Sequence, residues 1–240
     1  AAASACLRRP GTGVPADPAL IPAPLSWSRH LRRALVMEQA AGTQSMMLAS
    51  SCDDIFPILF QLGDGMPCPR PWISAPLSRL YALLLLEDDA DAYRQTLADL
   101  RRSAHGAWAP WQAEAQRLYE DLRWKENRHL LSCMLLPAVG NCARVLIYAQ
   151  TQRSLVRLAA AARAHRAATG AWPSITTSGL AWPSDPFTDA PLLAEERDGV
   201  LVLWSVGEDL KDDRGLVEVT NPYQSQGLQK TGDLVLRVAP

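Results

Sequence analysis

The chain has 240 residues, 48% of them hydrophobic, enough for one large domain or two small ones around packed cores and too apolar for a disordered chain. Twenty-four basic residues against 25 acidic ones leave a net charge of −1, with no basic excess or stripe. That excludes the electrostatic footprint of a nucleic-acid binder.

Residues 1–24 are rich in Pro, Ala and Gly and show no period, so they read as a linker or arm. The chain starts at Ala1 rather than Met, and "AAASAC" before Cys6 resembles the end of a lipoprotein signal but has Ala3 where that signal has Leu, so a membrane anchor is expected only upstream of this chain. No continuous apolar run of about 20 residues stands in the sequence itself.

From residue 25 the pattern turns helical. Leu31, Leu35 and Glu38 recur at helical spacing, and Met46, Met47 and Leu48 close the run at about residue 49. "DDIFPILFQL" is a second apolar run, capped by Asp53 or Asp54, with Pro57 in its first turn. "SAPLSRLYALLLLED" predicts a buried helix with Ser74 as N-cap and Pro76 in the first turn. "DDADAYRQTLADLRRSA" predicts an amphipathic helix with Ala92, Thr96, Leu97 and Leu100 on one face. A further helix starts near Pro110. No strand alternation occurs in this half, so residues 25–136 read as a domain of antiparallel helices.

Pro137 to Gly140 reads as a break and a module boundary, with residues 137–240 forming the second module. A long Ala-rich helix over about 139–168 follows, its apolar stripe being Val145, Tyr148, Leu155, Leu158 and Ala162. Gly170 stops it. A Pro-bounded loop leads to "DPFTDAPL", then to the strand "VLVLWSV" and a last short strand in "DLVLRVAP". Val202 and Trp204 are expected to face the long helix. The fold class is therefore α+β: a helical block, then a long helix packed on a small antiparallel sheet.

The order of these pieces resembles the globular part of type II secretion pseudopilins and of bacterial envelope proteins that share this tail. The matching residues are Gly170, Trp172 and Pro173; Asp185, Pro186, Phe187 and Pro191; then Ser205, Gly207, Asp209, Asp212 and Asp213. The family's methylated Phe and apolar N-terminal helix do not stand in this chain, and a helical block precedes the module. The resemblance thus implies an accessory protein of the cell envelope, periplasmic or anchored facing the periplasm, that works through protein partners in a larger assembly. It also implies a calcium site in the Asp loop.

The residue chemistry allows that site. Ser205, Asp209, Asp212 and Asp213 crowd oxygen ligands onto one loop, and a hard cation such as Ca²⁺ takes about six to eight of them. Lys211 and Arg214 interrupt the acidic run and offer an ion pair in place of metal. Solvated turn carboxylates are the remaining alternative.

Other candidates are weaker. His30, His105, His129 and His165 are scattered. Glu126 and His129 form an E-x-x-H with no second copy to complete a di-iron bundle. Glu87 to Asp91 reads as the N-terminal cap of a helix. No nucleophile elbow, phosphate loop, zinc-protease or dinucleotide fingerprint is present. A hydrolase with an acidic site between the two modules, using the Asp residues of the DP loop or Glu126 and His129 as acid and base, stands as the alternative to an interaction protein. In an oxidising compartment Cys52–Cys68 and Cys133–Cys142 could close loops, leaving Cys6; in a reducing one all five are small buried hydrophobes.

Overall fold

A computed structural model describes residues 26–50, 71–123, 128–174, 180, 182–216 and 232–239. The fold is α+β, with five helices and a three-stranded antiparallel sheet among these residues. The chain divides into two compact units. One comprises Ser28–His105 and Pro110–Arg144, the other Ala1–Trp27, Gly106–Ala109 and Val145–Pro240.

The first unit is helical. Helix α1 spans Trp27–Ser50 and buries Leu31, Leu35 and Met46 at the predicted spacing. Gly42 lies on the same side, where an added Cβ would stand 2.5 Å from the ring of Tyr93, so its missing side chain admits that ring. Helix α2 spans Pro71–Leu84. It begins earlier than expected, with Pro71 at its first position, where a missing N–H costs nothing, and Pro76 lies inside it. The expectation of a buried helix is overturned. Tyr81 is buried, but Leu80, Leu83 and Leu84 are 52%, 81% and 62% exposed.

Helix α3, Leu86–Ser103, is amphipathic. Leu86, Asp89, Ala90, Tyr93, Thr96, Leu97 and Leu100 make its buried face. Of the expected face, Thr96, Leu97 and Leu100 are buried and Ala92 is half-buried, and Arg101 and Arg102 complement the dipole at the C-terminus. Helix α4 spans Trp108–Arg123, and Trp111 donates its indole N–H to the Leu100 carbonyl at 3.2 Å. Among the described residues before 130 no strand occurs. The apolar run at 53–62 and the Cys52–Cys68 pair lie outside the described residues.

Helix α5, Leu130–Thr169, corrects the sequence reading at one point. Pro137 and Gly140 do not break it; 40 residues form one helix that contributes to both units. The buried positions run through the supposed break as Leu136, Val139, Ala143 and Ile147, while Pro137 is exposed. Packing along one face has overridden the local breaker signal. Val145 is 45% exposed and Ile147 takes its place in the stripe, whereas Tyr148, Leu155, Leu158 and Ala162 are buried as expected. Continuity also makes α5 long and apolar enough, by length and composition, to cross a membrane, with less than half of its most apolar stretch buried. Cys133 and Cys142 are both free and sit nine positions apart on this helix, about 13 Å along its axis, too far for a disulfide.

The second unit carries the sheet, with strands β1 (Leu193–Arg197), β2 (Val200–Ser205) and β3 (Leu234–Val238) in that order. Leu193 pairs with Trp204 and Arg197 with Val200; Leu201 pairs with Val238 and Ser205 with Leu234. Strand β1 went unread, because its sequence, LAEER, lacks the β-branched residues that mark a strand. Asp198 and Gly199, at φ of 52° and 77°, form the two-residue turn before β2, as primed hairpin turns require. Helix α5 packs on the sheet and stops where Gly170, at φ 78°, donates its N–H to the Arg166 carbonyl. Arg166 and the indole of Trp172 both donate to the Gly199 carbonyl, which ties the helix end to the hairpin turn.

Candidate functional site

The Asp-rich connections at one end of the sheet are built around Asp185, which is buried. Its Oδ1 accepts the N–H of Phe187 at 3.0 Å, the local turn that Asp-Pro predicts. Its Oδ2 accepts the N–H of Val206 at 3.2 Å, and the Ser205 hydroxyl bonds to the same carboxylate. One carboxylate therefore joins the DP turn to the loop after β2. Burial pushes the Asp185 carboxyl up, and the donors from Phe187, Ser205 and Val206 pull against it. Phe187, fully buried, stands edge-on to Tyr148 at 5.3 Å and to Trp108 at 6.4 Å, and the Trp108 N–H donates to the Pro186 carbonyl.

The four expected metal ligands fall as follows. Ser205 is buried, and its Oγ also accepts the Gly207 N–H at 3.3 Å. Asp209 accepts the Lys211 N–H on one oxygen and the Gly232 N–H on the other, at 3.2 and 3.1 Å. Asp212 Oδ1 takes both the indole N–H of Trp204, at 2.9 Å, and the Arg214 N–H, at 2.8 Å. The Asp213 carbonyl accepts the Leu216 N–H. The loop is thus held by carboxylates bound to backbone N–H groups, and Lys211 and Arg214 contribute their amides to it. Among the described residues no three His, Cys, Asp or Glu side chains are gathered as a metal group.

This loop also settles where the Val202 and Trp204 face points. A Cβ on Gly215 would meet Val202 at 3.4 Å and the Trp204 ring at 3.5 Å, and the Arg197 guanidinium lies 5.6 Å from that ring. Val202 and Trp204 thus lie against the Asp loop. Alternation turns Leu201 and Leu203, both buried, toward the other face.

Asp233, just before β3, escaped the sequence reading. Its Oδ2 accepts the Gly215 N–H at 2.6 Å, and its buried Oδ1 has no partner among the described residues. Burial, then the nearby charges of Asp212 and Asp213, push this carboxyl up to about 6 against the pull of the Gly215 and Asp213 amides. Its only sequence signal was one more Asp-Leu at a strand start.

In the helical unit a second polar group is buried. Asp89, fully buried, accepts the N–H groups of Leu131 at 2.8 Å and Ser132 at 3.1 Å, together with the hydroxyls of Tyr81 and Ser132. The acidic run does supply a helix cap, but one of its carboxylates caps α5 rather than its own helix. Burial, then the bond to Asp89, push the Tyr81 phenol up, so it stays a donor. His129 Nδ1 lies 4.0 Å from Asp89. Glu126 lies outside the described residues. Tyr93 makes a comparable link, donating its hydroxyl to Glu38 at 2.8 Å.

No family model, curated protein or solved structure matches the chain.

Proposed function

We propose that this is a non-enzymatic structural and interaction protein of the bacterial cell envelope, a subunit of a membrane-associated or secretion-type assembly. In this reading the helical unit binds a protein partner and the C-terminal unit is a rigid pseudopilin-like head. The protein faces the periplasm, held there by its partners.

The observation that carries it is the row Leu80, Leu83 and Leu84 on α2, three large apolar side chains at helical spacing and more than half exposed. Solvent-exposed leucines in such a row contribute nothing to the core and are what an apolar partner surface would bury. The turn-locked Asp loop supports a rigid head, since its carboxylates bind backbone amides. Changing the three leucines to Ser should leave circular dichroism and the unfolding midpoint unchanged, while the protein leaves the high-mass fraction of detergent-solubilised envelopes. Retention of the triple variant in that fraction would sink the reading.

Calcium is a second reading, favoured by the buried Asp233 oxygen that has no partner among the described residues and stands beside Asp212 and Asp213. Ser205, Asp209, Asp212 and Asp213 would hold the ion, and binding would have to turn carboxylates away from the amides they now accept.

A further inference from the structure

No further inference is drawn: the strongest candidate, the buried Asp233 carboxyl beside Asp212 and Asp213 at the loop end of the sheet, one oxygen of which has no partner among the described residues, belongs to the Asp-rich loop site already described.

Discussion

Asp89 takes four donors in a spot closed to water. Asp89→Ala would strand the Leu131 and Ser132 amides and the two hydroxyls, at a cost of about 3 kcal/mol, read as a fall in the urea midpoint. A loss under about 1 kcal/mol would show that the cap contributes little. Asp233 makes a prediction of opposite character. Its folded value of about 6 lies above the ordinary 3.8. Below the lower value the carboxyl is protonated in both states. As pH rises toward the upper one, the unfolded chain ionises first, so the stability present in acid is lost, by on the order of 1–2 kcal/mol once solvent screening is counted. Asp185 is raised as well and adds in the same direction. Asp233→Asn cannot ionise, so its stability should fall less between about pH 4 and pH 7 than that of the parent chain. Parallel falls in chemical denaturation series across that range would contradict the assignment.

At the scale of elements, α5 offers the sharpest test. A proline inside a helix removes one backbone hydrogen bond and costs about 3 kcal/mol relative to Ala, while its rigidity in the unfolded chain returns part of that. Because α5 runs through Pro137 and that residue is exposed, Pro137→Ala should stabilise the protein by about 1–2 kcal/mol. Were residues 137–140 a break, the same change would be neutral or destabilising, and the urea midpoint separates the two. Strand β2 makes a related point. Leu201 to Ser205 are all buried, so its apolar run is continuous rather than alternating, and the sequence cannot say which face meets which cover. The tertiary structure sets Val202 and Trp204 against the Asp loop.

For the whole molecule, calcium binding is a question of linkage. An ion that binds only the folded state at about 100 times its Kd stabilises by about 2.7 kcal/mol, which corresponds to a rise in Tm on the order of 5–10 °C for a chain of this size. Chelated protein titrated with calcium should show that rise if the loop is a metal site. An unchanged Tm at millimolar calcium would leave the loop as a turn held by its own amides. The α+β class, the helices described before residue 130, the stop at Gly170 and the Asp185 turn were all legible in the chain. Each follows from local rules: apolar spacing, the φ freedom of Gly, and an Asp side chain that reaches an amide two residues on. That α5 continues through Pro137, that Leu80, Leu83 and Leu84 face outward, that Asp89 caps a helix 41 residues further along, and that Asp233 joins the loop were not legible there. These depend on partners distant in the chain, and one sequence holds no signal for which amide will stand opposite which carboxylate, or which helix face the fold will leave uncovered.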